Sequence, residues 1–138
     1  MNLSGWNAYA DSATGVAIKT NVKTLFASIC TPLDITAGRV SYIDNRVEMT
    51  QKWGRALNIY HITFAKTRPY ENEKELRLTY EKSGREEKPE FEGIPIDTIA
   101  LIKEVHIGSS SKPYVQRLIK NILLHYGISV PVNKSIVK

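Results

Sequence analysis

The chain has 138 residues, 42% of them hydrophobic and 24% charged, and a formal net charge of +5. These values are typical of a single globular domain spanning residues 1–138, and they exclude disorder over most of the length. The sequence has no apolar run near the roughly 20 residues of a membrane-spanning helix, and its N-terminus lacks the basic and apolar segments of a signal peptide.

Patterns in the first half of the chain predict two strands and two helices. Residues 15–20 form a β-rich run that begins with a glycine, and Asn21 is suited to cap a helix over residues 22–30. Residues 39–43 alternate weakly in polarity and predict a second strand. Residues 47–65 combine a helical spacing of apolar residues with a β-rich end, and we favour a helix because the spacing persists for three turns.

The second half of the chain predicts further strands. Residues 75–82 and 103–108 have strand-like composition, residues 94–96 predict a short extended piece with a proline, and residues 128–132 predict a closing strand. Strands and helices mix without a regular alternation. The predicted fold class is therefore α+β, with a mixed, mostly antiparallel sheet packed against two or three helices.

The clearest predicted element is a helix over residues 113–126. One of the three serines at 109–111 is expected to cap it, Pro113 fits its first turn, and Gly127 is suited to stop it. The apolar stripe that should pack on a sheet consists of Val115, Leu118, Ile119, Ile122 and Leu123.

An alternating charged segment gives the best candidate for chemistry. Glu73, Glu75 and Arg77 are two residues apart, so an extended chain would point all three toward one face. Leu76 and Leu78 would then take the opposite, core-facing side. We expect Glu75 and Arg77 to be partly buried on a central strand, within ion-pair reach of each other or of their neighbours.

Several motifs, in their order and spacing, resemble the bacterial family catalogued as domain of unknown function 2971. They include a tryptophan, tyrosine and alanine followed by a glycine and a strand, and the family's most recognisable motif of lysine, aromatic, glutamate, x and arginine. The resemblance runs over almost the whole chain. The segments that carry it are residues 6–10, 15–18, 40–44, 66–77, 107–108, 126–127 and Ser135.

The resemblance also implies what this chain shares with the family. Family members usually carry an upstream half with tyrosine-rich strands before the tryptophan, which is Trp6 here, so the chain resembles the C-terminal part of the family domain. The activity of the family is not settled. Some members are suspected of roles in phage defence, and a bacterial or phage-associated protein is what the resemblance implies.

The charged segment has a functional and a structural interpretation. In the functional one, Glu73 or Glu75 is a general base or stabilises a developing positive charge, and Arg77 holds an anion such as a phosphate. A glutamate at the start of a central strand is also similar to the one that stabilises the ribose cation in NAD-dependent ADP-ribosyl transferases, an analogy of position alone. In the structural one, the three side chains form an ion network that holds the sheet.

Four further residues are candidates for substrate binding. Trp6 and Tyr9 would lie side by side on a helical turn and are suited to line a pocket or stack on a base, although core packing is the commoner role. Lys66 and Arg68 flank the acidic run and are suited to clamp a phosphate, although surface charge is the commoner role.

The remaining polar residues predict little further chemistry. The three histidines and the single cysteine, Cys30, show no metal-ligand spacing, so we expect no metal and no cofactor. One cysteine also excludes an internal disulfide and fits a reducing compartment, so we expect a cytoplasmic protein.

The charge distribution gives a second candidate site. No acid follows Glu104, whereas Lys112, Arg117 and Lys120 lie on or beside the predicted C-terminal helix. A basic helix of this kind can meet phosphates, and a solvated helix face is its alternative.

Two classes of function follow. The first is a protein that acts on a nucleotide or nucleic-acid substrate through Glu73, Glu75 and Arg77. The second is a non-catalytic interaction or nucleic-acid-binding module that uses the basic C-terminal helix. A degenerate fragment that merely folds is the third alternative.

Overall fold

The structure is a computed structural model that describes residues 10–81, 91 and 93–136. The chain divides into two compact units. The first unit is Met1–Pro32 together with Glu87–Lys138, and the second is Leu33–Glu86.

Short strands and helices alternate irregularly along the described residues. The strands are β1 (Val16–Lys19), β2 (Ile35–Arg39), β3 (Ser41–Ile43), β4 (Ala65–Thr67), β5 (Leu76–Tyr80), β6 (Glu104–Ile107) and β7 (Val132–Lys134). The α-helices are α1 (Val22–Ala27), α2 (Arg46–Trp53), α3 (Ile59–Thr63), α4 (Thr98–Leu101) and α5 (Pro113–His125). Two 3-10 helices are formed by Gly54–Ala56 and Arg68–Glu73.

The first unit is built on a sheet of β1, β6 and β7, in that spatial order. β1 pairs with β6 antiparallel, and β6 pairs with β7 parallel. The strands predicted at residues 15–20 and 103–108 are confirmed. The closing strand predicted over residues 128–132 lies further along the chain. It is β7, Val132–Lys134, and only Val132 belongs to both ranges.

A small apolar core lies under this sheet. Its buried members are Ile102, Val105, Ile107, Ile128 and Val132, and the partly buried Ile119, Leu123 and Val130 pack against them. Helix α5 therefore faces the sheet through Ile119 and Leu123. The predicted stripe is wrong at Leu118 and Ile122, which are 53% and 43% exposed, because the buried face of the helix lies one row to the side of them.

The ends of α5 confirm two predictions and correct one. Pro113 is its first residue, and Gly127, which follows it closely, has a left-handed φ of 71° that favours glycine. The predicted serine cap is wrong. Lys112 occupies the capping position without a side-chain hydrogen bond, and the Ser111 hydroxyl instead donates to the Ala13 carbonyl.

The second unit contains two two-stranded sheets. β2 and β5 are antiparallel, with Ile35 opposite Tyr80 and Arg39 opposite Leu76, whereas β3 and β4 are parallel. The single strand predicted over residues 39–43 is wrong, because the chain leaves one sheet and enters the other at Val40. This residue is 7% exposed, and its N–H donates to the carbonyl of Glu75 at 3.0 Å.

The long helix predicted over residues 47–65 is interrupted. α2 ends at Trp53 because Gly54 adopts a left-handed φ of 50°, and the chain passes through a 3-10 turn before α3 begins. Asn58 caps α3, its side chain accepting from the His61 N–H at 3.2 Å. The β-rich end of the segment, residues 59–64, is helical as favoured, because it forms α3 and its C-cap, and β4 begins only at Ala65.

The fold class is α+β with mixed pairing, as predicted. The antiparallel ladders of β1–β6 and β2–β5 are longer than the parallel ones of β3–β4 and β6–β7. Among the described residues, no helix is long and apolar enough to cross a membrane.

Candidate functional site

The segment that carries Glu73, Glu75 and Arg77 is only partly extended. Glu73 is the last residue of the 3-10 helix Arg68–Glu73, and Lys74 follows in a left-handed conformation with φ 48°. Glu75 directly precedes β5, which contains Arg77. The prediction of one strand carrying all three charges is therefore wrong at Glu73, because the left-handed turn at Lys74 reverses the chain before the strand begins.

The three side chains nevertheless meet through a fourth residue. Arg77 Nε lies 2.7 Å from Glu75 Oε1, and Arg77 Nη2 lies 3.1 Å from Glu75 Oε2. Lys66 Nζ lies 2.5 Å from Glu73 Oε2 and 3.3 Å from Glu75 Oε2. We call Lys66, Glu73, Glu75 and Arg77 the ion network, and its formal charges sum to zero.

Two hydrogen bonds, each between a side chain and a main-chain group, connect the ion network to the rest of the second unit. The Arg77 Nη1 group donates to the carbonyl of Thr63, the last residue of α3. The Glu75 N–H donates to the Tyr42 hydroxyl of β3 at 2.8 Å. The network thus links α3, β3, β4 and β5, which are distant in sequence. Tyr42 and Thr63 were missed by the sequence analysis, since neither carries a local signal of these contacts.

The network keeps the Glu75 carboxylate ionised. Hydrogen bonds from Arg77 hold the pKa of Glu75 below its usual value, burial opposes this effect, and the Lys66 ammonium lowers it further. Reciprocally, the pKa of Lys66 is raised, first by its bond to Glu73, and the pKa of Arg77 is raised by Glu75. A carboxylate with a lowered pKa is a weak proton acceptor, so it serves better as a fixed charge than as a general base.

The burial of the network only partly follows the prediction. The side chains of Lys66, Glu73, Glu75 and Arg77 are 25%, 17%, 26% and 29% exposed, so they are partly buried as expected. The strand is not central, because among the described residues β5 pairs only with β2, in a two-stranded sheet. Leu76 is 37% exposed, so the face opposite Arg77 is not a closed core.

Arg68 forms a second cluster near the same 3-10 helix. Its Nε lies 2.9 Å from Asp44 Oδ1 and its Nη2 lies 2.7 Å from Glu48 Oε1. Glu48 also accepts from the Asp44 N–H, and this bond is the main reason that the pKa of Glu48 is lowered. Lys66, besides its two carboxylates, lies 4.7 Å over the ring of Tyr70.

These pairings bear on the predicted phosphate clamp. The three cations Lys66, Arg68 and Arg77 contact four carboxylates, those of Asp44, Glu48, Glu73 and Glu75. An incoming phosphate would have to compete with these carboxylates for each cation. Phosphate binding by Lys66, Arg68 or Arg77 stays a prediction. Each of these three cations already contacts at least one carboxylate, so none of them is vacant for a phosphate.

The other predicted site residues lie elsewhere or outside the described part. Trp6 and Tyr9 precede residue 10 and fall outside the residues that the structure describes. Lys112, Arg117 and Lys120 belong to the first unit, where Lys112 precedes α5 and the other two lie on it, all three exposed to solvent. Within residues 10–81, 91 and 93–136, no group of three or more His, Cys, Asp or Glu residues is placed to hold a metal ion.

The candidate segment lies within a match to a known protein family. A family described as "protein of unknown function (DUF2971)" matches residues 6–78, which is more than half of the 138 residues. The chain belongs to this family. The matched range includes the whole ion network and ends within β5. No curated protein and no solved structure matches the chain.

Proposed function

We propose that the chain acts on a nucleotide or nucleic-acid substrate, and that Glu75 contacts the sugar of that substrate as a fixed negative charge. The hydrogen bonding and the exposure of the Glu75 carboxylate are the observations that support this proposal. Both of its oxygens accept hydrogen bonds from cations, yet its side chain is 26% exposed. The group is therefore charged and oriented before a ligand binds, and it remains accessible.

The chemistry that suits such a group is hydrolysis of the bond between the sugar anomeric carbon and the base, in which the oxygen of water bonds to the carbon and a proton of that water leaves with the base. That reaction passes through an oxocarbenium-like state, in which positive charge develops on the sugar ring. A preorganised carboxylate facing this charge stabilises the transition state more than the ground state, and so lowers the barrier. The lowered pKa of Glu75 supports this role over proton transfer.

The other members of the ion network then act on Glu75 instead of on the substrate. Arg77 fixes the carboxylate orientation through two hydrogen bonds, and Lys66 joins it to Glu73. Because these cations already pair with carboxylates, the phosphates of the substrate are proposed to point toward solvent. As a setting for this activity we propose an intracellular role in bacteria, in defence against phage, which is the role suspected for some proteins that the chain resembles.

The experiment is a search for free base released from nucleotides and from single-stranded oligonucleotides by the purified full chain. We expect release that is lost in Glu75→Gln and retained in Glu71→Gln, a matched change at an exposed glutamate of the neighbouring 3-10 helix Arg68–Glu73. Release that is equal in both variants would contradict a role for Glu75. Absence of release from every substrate would contradict the proposed reaction.

A second function is supported by a separate observation in the first unit. Lys112, Arg117 and Lys120 are exposed on or beside α5, a helix of 13 residues. We propose as the alternative that this helix binds the phosphates of a nucleic acid without catalysis. Strong dependence of binding on salt concentration would be its signature.

A further inference from the structure

One face of the β2–β5 ladder continues from the ion network into a cavity. Side chains alternate along a strand, so Glu75, Arg77, Thr79 and Glu81 follow one another along one face. Thr36 of β2 pairs with Thr79 and therefore contributes to the same face. The ion network occupies one end of this face, and the cavity occupies the other.

Helix α3 borders the cavity. Arg77 donates to the carbonyl of Thr63 and so fixes the C-terminal end of α3 over the sheet. The Phe64 ring follows it and approaches Gly38 so closely that a Cβ at Gly38 would lie 3.0 Å from the ring. Ile59 and Tyr60, at the other end of α3, line the cavity together with Thr63.

The cavity has the size of a small-molecule site. Its volume is about 670 Å³, within the range of roughly 300–1,000 Å³ typical of ligand pockets. All of its lining residues belong to the second unit. They are Asp34, Thr36, Ile59, Tyr60, Thr63, Leu78, Thr79, Tyr80 and Glu81.

The lining combines two carboxylates with two threonine hydroxyls that already donate their hydrogens to main-chain carbonyls. Asp34 precedes Ile35 and Glu81 follows Tyr80, and because Ile35 and Tyr80 are opposite each other, the two carboxylates lie at the same end of the ladder. The Thr63 hydroxyl donates to the Ile59 carbonyl at 2.8 Å, and the Thr79 hydroxyl donates to the Thr36 carbonyl at 3.4 Å. These two hydroxyl oxygens therefore remain as acceptors for a ligand group that donates.

Apolar and aromatic groups border the same space. Ile59 is 68% exposed and Tyr60 is 53% exposed, and both line the cavity. Among the residues that the structure describes, the lining contains no lysine, arginine or histidine. Aromatic faces and carboxylates attract the same kind of ligand, since each favours a positive charge, whereas an anion would be repelled.

We propose that this cavity binds an organic cation, an amine or amidine attached to an aromatic or apolar ring. The positive group would lie toward Asp34 and Glu81, and the ring would contact Tyr60 and Ile59. An inorganic cation would leave the apolar part of the lining without a partner. This inference goes beyond the proposed function, because none of the ion-network residues lines the cavity.

Three small probes of nearly equal shape test the charge requirement. Binding of benzamidine, benzamide and benzoate to the full chain would be followed by NMR chemical shifts and titration calorimetry. We expect benzamidine to bind in the millimolar range or better, benzamide at least about tenfold more weakly, and benzoate not at all. Benzamide binding as tightly as benzamidine, or no benzamidine binding, would overturn the proposal.

Two variants locate the site. The double change Asp34→Asn and Glu81→Gln should weaken benzamidine binding by at least about tenfold, and Tyr60→Ala should weaken both benzamidine and benzamide. Glu71→Gln, which removes one negative charge at an exposed position outside the lining, should leave the affinity unchanged. Melting temperatures within error of the parent establish that each variant folds. Benzamidine affinity that is unchanged in a folded double variant would contradict the assignment.

Discussion

Arg77 donates two hydrogen bonds to the carboxylate of Glu75, the residue two positions before it. Arg77 Nε and Nη2 reach the two carboxylate oxygens at 2.7 and 3.1 Å, and Nη1 reaches the carbonyl of Thr63. A neighbour on the same strand face therefore fixes the carboxylate, while the same guanidinium fixes the end of α3. The orientation of the Glu75 carboxylate and the position of α3 therefore both depend on the side chain of Arg77.

Replacing Arg77 should consequently lower the stability of the second unit. Arg77→Ala leaves the partly buried carboxylate of Glu75 with one cation, Lys66, and deprives the Thr63 carbonyl of its donor. We expect a loss of about 1–3 kcal/mol in the free energy of unfolding, measured by urea denaturation. The exposed Arg39 of β2 supplies the control, because Arg39→Ala should cost less than about 0.5 kcal/mol. Equal losses would show that the ion network contributes nothing to stability.

Acid should weaken the same interaction. The pKa of Glu75 is lower in the folded chain than its ordinary value of 4.5, so the folded state holds its proton less tightly than the unfolded state does. The stabilisation is present above pH 4.5 and is lost as pH falls through the folded-state pKa. The free energy of unfolding of the parent should therefore fall more steeply than that of Glu75→Gln as the pH drops from 4.5 toward the folded-state pKa. Parallel pH profiles for the two proteins would contradict the lowered pKa.

The core of the first unit makes a prediction about two apolar residues. Ile107 is fully buried in β6, whereas Leu118 of α5 is 53% exposed. Ile107→Ala should lower the free energy of unfolding by about 2–5 kcal/mol, and Leu118→Ala by less than about 1 kcal/mol. Denaturant unfolding of both variants gives the comparison. A larger loss at Leu118 would mean that α5 packs through the stripe predicted from sequence.

Sequence patterns predicted the elements whose signals are local. The strands β1 and β6 have β-rich composition, and α5 has a proline at its start and a glycine beyond its end, so each was found near its observed position. The buried face of α5 was harder to predict from the sequence, because Val115, Leu118 and Ile119 all fit an apolar stripe. Which row faces the sheet depends on Ile107 and Val132, which belong to strands far away in sequence.

The second unit was predicted less well because its breaks depend on single backbone conformations. The left-handed turns at Gly54 and Lys74 end a helix and separate Glu73 from β5, and neither is required by the apolar spacing. The pairing of Glu75 with Arg77 followed from their spacing of two. The contacts of this pair with Tyr42 and Thr63 cross 33 and 14 residues of chain, and no local pattern encodes them.

The alternative function makes its own prediction. If α5 binds nucleic acid through phosphates, affinity should fall steeply with salt, and changing Lys112, Arg117 and Lys120 together to glutamine should flatten the log–log slope by up to about three units. The matched control changes the exposed Lys23, Lys52 and Arg55, and it should leave the slope near that of the parent. Binding that is insensitive to salt, or no binding near about 50 mM salt, would remove the alternative.

If Glu75 is a fixed charge that contacts the substrate, Glu75→Gln should abolish the reaction and leave the fold nearly intact. The melting temperature and the rate of base release should be measured on the same preparation of Glu75→Gln, with the rate corrected for the folded fraction. We expect a modest fall in melting temperature and a loss of release far larger than the loss of folded protein, because the charge is gone while the neighbours remain. A rate that declines only in proportion to the folded fraction would show that Glu75 serves the fold alone.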